Sequence, residues 1–422
     1  MFSSNDITDK HIVSSDYRNN KYYSCVNNYK CMELITKMAS DQDVDTLKLK
    51  EQKNTIIADY AVRKNSKALL QTLTTTIPYF ILFYTAIAAL SISYWLSAAI
   101  TAVLVLFILR VFVIMHDCGH NCLYEKPRGN AITGFILGVM CGVPQFVWSK
   151  HHDYHHATNG NWEKYRGPLA VLSVSEYEKL TSKQRKSYAR ARKLFMGPIA
   201  GFLYFIFNPR FNWLKGNVQL IRFIIKEKIA NKNQSLKDIS AKFETRSWGD
   251  WQEYRHMTAN NLTLFCAWAL AISYFGAIPF FTIYIIALSL AGALGIILFT
   301  VQHNFEDSYA ANTQDWDYFT AAIHGTSFLQ LPRWLNWFTA DIAYHHIHHL
   351  SARIPNYNLV ACHNRHKDLF NNVPRLSLFD IPGAFKYVIW DEKQQTLITA
   401  KQFAELHDSN SGSEAEQLAN AS

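Results

Sequence analysis

The chain has 422 residues, a formal net charge of +9 and a mean hydropathy of −0.08. That length would allow two or three soluble domains, but the apolar residues are too concentrated for such an organisation. Two segments without a charged side chain, 68–109 and 257–302, hold 42 and 46 residues. Because a helix rises about 1.5 Å per residue, each can cross the roughly 30 Å hydrocarbon core of a bilayer twice.

Each uncharged segment predicts a hairpin of two spanning helices, so the predicted fold class is an all-α polytopic membrane protein. The four spans are predicted at about 70–91, 93–114, 261–279 and 281–302. A pair of long buried helices in a soluble core is the alternative, which runs of this length disfavour. Gly and Pro interrupt two further apolar stretches, 130–148 and 194–209, which we expect to be re-entrant or to lie at the interface.

Changes of composition divide the chain into four predicted units. They are a polar, loosely ordered N-terminal segment (1–45), an interfacial helix (46–66), a main domain (67–390) and a C-terminal tail (391–422). The helix is predicted from charges interleaved with apolar positions. Within the main domain, 115–260 and 303–390 form a helical cap outside the spans. From about residue 408 the tail is low in complexity, which predicts disorder.

Positive charge is concentrated between residues 181 and 256, where there are 16 Lys and Arg against 5 Asp and Glu. This segment lies between the two predicted hairpins, so the positive-inside rule places it in the cytoplasm, near anionic headgroups. It is weak evidence for a nucleic-acid partner, and we predict none. Because the first 30 residues show no apolar signal-peptide core, both termini and the cap are predicted to be cytoplasmic.

Histidines cluster in four motifs, HDCGH, HHDYHH, VQHNFEDSY and HHIHH. Residues three or four apart share one face of a helix, and this spacing brings nine imidazoles together. They are His116, His120, His152, His155, His156, His303, His345, His348 and His349. Each predicted hairpin returns to its starting side, so all four motifs emerge on the same membrane face. If 130–148 crossed the bilayer, His116 and His152 could not share a site.

Nine imidazoles predict a site for two metal ions. Imidazole suits Zn, Cu, Fe and Ni, and nine exceed the four ligands of one tetrahedral zinc. The Glu-x-x-His pattern of ferritin-like di-iron proteins is missing around these motifs. A carboxylate-poor, all-histidine pair of sites at a bilayer favours iron and dioxygen chemistry. Isolated hydrogen-bonded histidines or a zinc buffer are the alternatives.

The motifs HDCGH, HHDYHHATNGN, VQHNFEDSY and YHHIHHLSARIPNYNL resemble those of the membrane fatty acid desaturases, most of all bacterial acyl-lipid desaturases, over about residues 45 to 390. The resemblance implies four spans under a cytoplasmic cap in a bacterial inner or plasma membrane. It also implies two irons and O2-dependent removal of two hydrogens from a saturated or monounsaturated acyl chain, forming a cis double bond. The substrate would be an acyl lipid or acyl thioester.

Carried over by motif, the resemblance makes all nine histidines metal ligands. His151 competes with His152, and His346 is expected to pack or to bond behind the ligands. Asp341 is expected to start the helix of HHIHH, or otherwise to orient a ligand or hold a metal-bound water. Asp117 is expected to bond an imidazole N–H.

Electrons would come from a separate ferredoxin, flavodoxin or cytochrome b5, because neither tail carries the His-Pro-Gly-Gly haem signature of a fused cytochrome. A related hydroxylase or monooxygenase acting on a lipid, alkane or carotenoid is the nearest rival. A metal transporter is disfavoured, because the spans contain no internal charge or histidine. His363 and His366 are expected on a solvated face.

Overall fold

The computed structural model describes residues 13–16, 21–24, 47–167 and 169–406. The predicted disorder from about residue 408 and most of the segment 1–45 lie outside the described residues. The described part is mostly helical, as predicted, with three small β-sheets that were not predicted.

Four long helices form the two predicted hairpins. They are α2 (Asn65–Ala89), α3 (Tyr94–Gly119), α11 (Trp251–Phe275) and α12 (Ala277–His303). Of these, α2, α3 and α12 are long and apolar enough to cross a membrane, whereas α11 contains buried polar residues such as Asn260 and Asn261 and falls short. The second hairpin turns at Gly276, whose φ of 81° favours glycine. This turn comes earlier than the predicted boundary near residue 280.

Both hairpins extend further toward the histidine motifs than predicted. Helix α3 continues to Gly119 rather than ending at 114, so His116 lies in its last turn. Helix α12 ends with His303 itself. Two of the four motifs are therefore held by long, packed helices rather than by loops, which fixes their side chains rigidly.

The apolar stretch 130–148 forms a bent pair of helices. Helix α4 (Pro127–Met140) and α5 (Gln145–Thr158) meet at an angle of 104°. Between them Gly142 adopts a φ of 75°, and Pro144 precedes α5. The bend agrees with the expected re-entrant segment, and it presents α5, which carries HHDYHH, toward the end of α3.

The apolar stretch 194–209 belongs to one nearly continuous helical run. A 3-10 turn (Leu194–Met196), α8 (Gly197–Gly201), a π-helical turn (Phe202–Phe207) and α9 (Asn208–Ala230) follow one another. Helix α8 packs closely on α12, since a Cβ at Gly292 would lie only 2.6 Å from the Cα of Gly201. One side of the stretch is therefore packed against protein, while Phe195, Ile199 and Phe207 on its other side are exposed.

Shorter helices build the cap. They are α1 (47–60), α6 (Val174–Glu178), α7 (Ser182–Ala191), α10 (Leu236–Ala241), α13 (Tyr318–His324), α14 (Arg333–Phe338), α15 (His345–Leu350), α16 (Asn356–Arg365), α17 (Ile381–Ala384) and α18 (400–406). Helix α1, predicted over 46–66 as an interfacial helix, buries Leu49 and Ile56 against Ile347 and Leu350 of α15. Its membrane contact stays a prediction.

Three small sheets connect distant parts of the chain. Strands β1 (Val13–Asp16) and β2 (Lys21–Ser24) pair antiparallel, and β4 (Phe328–Gln330) pairs parallel with β5 (Arg375–Ser377). In the third sheet β6 (Tyr387–Asp391) lies between β3 (Leu172–Ser173) and β7 (Thr396–Thr399).

The C-terminal tail, predicted from residue 391, is folded over its described part. Residues 391–406 form β7 and α18, and they bury Ile398 and Phe403 against Tyr177 of α6. Apolar burial of this kind requires partners that lie more than 200 residues away in the chain, so composition near residue 391 could not indicate it.

Candidate metal centre

The nine predicted histidines converge at the cap end of the long helices. They form a five-histidine group (His116, His120, His152, His156 and His348) and a four-histidine group (His155, His303, His345 and His349). Within each group the potential ligand nitrogens all lie within 4.8 Å of one another. The imidazoles come from α3, α5, α12 and α15, so distant segments assemble one site.

Local helical geometry explains how the residues divide between the groups. On α5, His152 and His156 are one turn apart and face the five-histidine group, while His155 turns toward the other group. On α15, His345 and His349 are likewise one turn apart and share the four-histidine group. Each short helix thus supplies ligands to both groups, which places the groups side by side.

Contacts between Nε2 atoms are those expected of neighbouring metal ligands. Two ligands at a right angle on one ion, with bonds of about 2.0–2.1 Å, lie about 2.9 Å apart. In the five-histidine group, His152 Nε2 lies 2.9 Å from His116 Nε2 and 3.0 Å from His156 Nε2. In the four-histidine group, Nε2 of His345 lies 2.9 Å from that of His303.

Outer partners hold several rings so that Nε2 faces inward. Asp117 Oδ1 lies 3.1 Å from His116 Nδ1, and its other oxygen accepts a bond from the backbone N–H of Asn356 at 2.8 Å. Asp153 Oδ1 lies 3.1 Å from His120 Nδ1. His303 Nδ1 donates to the Gly325 carbonyl at 3.2 Å. Such partners fix the tautomer of a ligating imidazole and raise its basicity.

Burial keeps the buried imidazoles of the two groups on α5 and α15 neutral. It lowers the pKa of the imidazoles well below the ordinary 6.5, and repulsion among neighbouring rings adds to this effect. The shift applies to His152, His155, His156, His345, His348 and His349. A neutral imidazole has a lone pair to offer, and a metal ion binds only this form.

The arrangement fits bound cations better than hydrogen bonds alone. A neutral ring has one N–H, and that of His116 is directed to Asp117, so its Nε2 presents a lone pair to the group. The buried Nε2 of His120 has no hydrogen-bond partner among the described residues. Leaving such an atom unpaired costs about 1–3 kcal/mol. A cation within each group would satisfy these nitrogens.

Two of the remaining candidates lie outside both groups. His151 is exposed on α5, so of the pair His151 and His152 only the latter joins a group. Asp341 does not start α15, which begins at His345 after Tyr344. Asp341 instead occupies a turn with a φ of 59°, where burial raises its pKa to about 6 despite the charges of Arg110 and Arg333.

His346 and His363 form a separate buried pair. His346 Nε2 lies 3.1 Å from His363 Nδ1, and both rings pack on Phe328 and Phe370. The expectation that His346 packs agrees with this position. The expected solvated position of His363 is wrong, because its ring is buried between α15 and α16. His366 is partly exposed.

An apolar cavity of about 560 Å³ leads to the histidines. Its walls include Phe112 of α3, Val147 of α5 and Leu298 of α12, and its inner end reaches His152 and His155. A polar part of its lining, called the polar end below, includes Asn208, Asn212, Arg246 and Ser247. The sequence did not reveal this cavity, because its walls come from six separate segments.

Two aromatic neighbours of the ligands were also missed. Trp148 stacks on His152 with ring centres 4.6 Å apart, and Tyr165 lies 4.6 Å from His155. The spacing of four residues between Trp148 and His152 on α5 is a signal that could have identified the first. Tyr165 follows α5 in a loop, where helical spacing gives no such information.

Comparison with known proteins identifies the family of this chain. The profile of the fatty acid desaturase family matches residues 93–377, which include all nine histidines. A fatty acid desaturase of Bacillus subtilis is 32% identical over 344 residues, covering 81% of this chain and 88% of the relative. The chain belongs to the fatty acid desaturase family. It is accordingly an oxidoreductase, and the expected resemblance is confirmed.

More distant relatives include desaturases with named lipid substrates. The sn-1 oleoyl-lipid 12-desaturase of Synechocystis is 24% identical, covering 79% of this chain and 85% of the relative. A temperature-sensitive sn-2 acyl-lipid omega-3 desaturase (ferredoxin) of Arabidopsis thaliana is 26% identical, covering 59% of this desaturase and 52% of the relative. Family membership favours desaturation over the hydroxylase and transporter alternatives.

Proposed function

We propose that this chain is a di-iron acyl-lipid desaturase that introduces a cis double bond at the inner end of its apolar cavity. The observation that carries the proposal is the contact between that cavity and two groups of buried, neutral histidines. The named relatives that act on acyl lipids support the substrate class.

Iron is the proposed metal because the nine ligands are all imidazoles and the family resemblance implies iron. The five-histidine and four-histidine groups would each hold one ion. When bound, the iron pair supplies the activation of O2 that lets two hydrogens leave an unactivated –CH2–CH2– unit. Overall, the acyl chain gives up two hydrogens, and O2, two external electrons and two protons complete the formation of two waters.

The protein's own part in this reaction is positioning and exclusion of water. Phe112, Val147 and Leu298 line the cavity with apolar surface, so a hydrocarbon chain replaces water there. His152 and His155 at its inner end set the depth at which a methylene pair meets the metal centre. Regiochemistry then follows from how far the chain enters, since correct placement alone supplies much of the rate.

Membrane topology supports a single shared site. His116 lies in the last turn of the first hairpin and His152 lies in α5 of the bent pair α4–α5, and their Nε2 atoms are 2.9 Å apart. This distance supports a bent pair that returns to the side from which it starts, and we propose that α2, α3, α11 and α12 are the four spans. The basic segment 181–256 supports a cytoplasmic location for the shared face.

The electron donor is proposed to be a separate ferredoxin, flavodoxin or cytochrome b5. One similar plant enzyme carries ferredoxin in its name, which supports the first. The test is desaturation by the purified protein with each reduced donor in turn. Absence of turnover with all three donors contradicts this part of the proposal.

Lipid analysis by gas chromatography tests the main proposal. Expression in a host that lacks the relevant unsaturated chains should produce a new cis-unsaturated fatty acid in membrane lipids. His348→Ala removes a ligand of the five-histidine group and should abolish the product, whereas His366→Ala, at a partly exposed histidine outside both groups, should not. A hydroxylated product, or an equal yield from His348→Ala, contradicts the proposal.

A further inference from the structure

A second groove opens directly beside the polar end of the apolar cavity. This basic groove, of about 750 Å³, lies between α9 and the segment 242–247. Its lining contains one acidic residue, Glu244, and five basic residues: Lys215, Arg222, Lys226, Lys242 and Arg246. The proposed reaction requires none of these five charges near the metal centre, so the groove calls for its own explanation.

Packing contacts hold the two walls of the basic groove together. Thr245 Oγ1 donates to Gln219 Oε1 of α9 at 2.8 Å, and the rings of Phe223 and Phe243 lie 5.5 Å apart. Gly216 of α9 leaves room for the buried Trp248. The groove is therefore a built feature of the fold, with its basic side chains directed from both walls toward the same space.

One face of α9 carries a stripe of exposed apolar side chains at helical spacing. The stripe residues are Phe207, Phe211, Leu214, Val218, Ile221, Ile225 and Ile229. Intervals of three and four residues keep them on a single face, and Ile229 is 75% exposed. A helix with such a face and basic residues beside it lies in the membrane interface, with the apolar side chains among acyl chains.

In that orientation the basic groove opens at the level of the lipid headgroups. Lys215, Arg222 and Lys226 each follow a stripe residue directly, which places them about 100° further round the helix, at the edge of the apolar face. Basic side chains at this level attract anionic headgroups. The same edge of α9 thus borders both the bilayer and the groove.

The groove and the apolar cavity share residues. Asn212, Arg246 and Ser247 line both. A molecule with an anionic head and a long apolar chain can therefore place the head in the groove while the chain enters the cavity toward His152 and His155.

We infer that the basic groove binds the phosphate of a glycerophospholipid whose acyl chain occupies the cavity. The inference rests on the proposed function for the fate of that chain, and it names the headgroup that the enzyme recognises. A soluble carrier protein or acyl-CoA also presents negative charge, but neither explains why the groove borders an apolar, membrane-facing helix edge.

The test is binding of radiolabelled phosphatidylglycerol to the purified full-length protein in non-ionic detergent. The groove variant is Lys215→Gln/Arg222→Gln/Lys226→Gln. The matched control is Lys183→Gln/Lys186→Gln/Arg190→Gln, which removes the same charge from exposed positions on α7. Since each basic residue near a lipid surface contributes about a factor of five, the three substitutions of the groove variant should together raise Kd about a hundredfold. The control should leave Kd unchanged.

Three results would overturn the inference. The first is a change of Kd in the groove variant that is no larger than the change in the control, when thermal unfolding shows that both variants are folded. The second is loss of acyl-CoA or acyl-carrier-protein binding in the groove variant while phosphatidylglycerol binding persists. The third is inorganic phosphate binding with the affinity of the lipid.

The binding assay is independent of turnover, so it separates this inference from the proposed function. A wild-type protein that binds phosphatidylglycerol through the groove but forms no double bond contradicts the proposed function alone. If the wild type desaturates and the groove variant has the same KM for phosphatidylglycerol as the wild type, the inference alone is contradicted.

Discussion

Asp117 connects the five-histidine group to the polypeptide that follows HHIHH, and its replacement tests how the metal centre is held. The side chain is only 1% exposed, and its two oxygens contact His116 Nδ1 at 3.1 Å and the Asn356 N–H at 2.8 Å. Asp117→Asn keeps the shape but removes the charge and one accepting oxygen. One of the two bonds is therefore lost.

The expected loss follows from the type of bond. A hydrogen bond to a charged group contributes about 1.5–3 kcal/mol, and losing such a partner of a ligating histidine lowers metal affinity about 10–100-fold. That range corresponds to about 1.4–2.8 kcal/mol. We expect the Asp117→Asn protein to release the iron of its five-histidine group at a chelator concentration ten- to hundredfold lower than the wild type requires. The other iron, in the four-histidine group, should be retained as in the wild type.

Asp153→Asn is the matched control for this experiment. Asp153 also contacts an imidazole, His120 Nδ1 at 3.1 Å, but its side chain is 59% exposed. Solvent screens such a pair, which contributes about 0–1 kcal/mol, so its chelator curve should shift about fivefold at most. An equal shift in both variants, or none in an Asp117→Asn protein with a wild-type Tm, would refute the reasoning about the buried partner.

Three further predictions concern packing and pH. Gly292→Ala should lower Tm, because overpacking at the close approach to Gly201 costs about 1–3 kcal/mol, whereas Gly295→Ala, with open space around its Cβ, should not. Burial raises the pKa of Asp341 to about 6. The stability of the wild type therefore falls as pH rises from 4 to 6, where the buried carboxyl loses its proton. Asp341→Asn should raise the Tm of the metal-free protein above pH 6 and leave it unchanged near pH 4. Metal content should fall on acidification, because protons compete for imidazole, and iron retained in full at pH 4 would contradict histidine ligation.

The sequence predicted the nine histidines because their geometry is local. Within HDCGH, HHDYHH and HHIHH the spacing of three or four residues gives a shared helical face, and the structure has helices at all three motifs. Only His303, alone at the end of α12, required the topology of the hairpins as a second argument.

The features that could not be predicted from the sequence depend on long-range contacts. The pair His346 and His363 is buried because Phe328 and Phe370, from separate segments, pack around it. The apolar stripe of α9 is regular in the sequence, but its exposure is visible only once the other faces of the helix are packed. The apolar cavity likewise depends on side chains from six segments.

X-ray diffraction from the metal-loaded protein, recorded on both sides of the iron absorption edge, tests the central claim most directly. Two iron peaks are predicted, one among His116, His120, His152, His156 and His348 and the other among His155, His303, His345 and His349. A single peak, peaks away from these imidazoles, or zinc alone in protein produced with iron available would contradict the account.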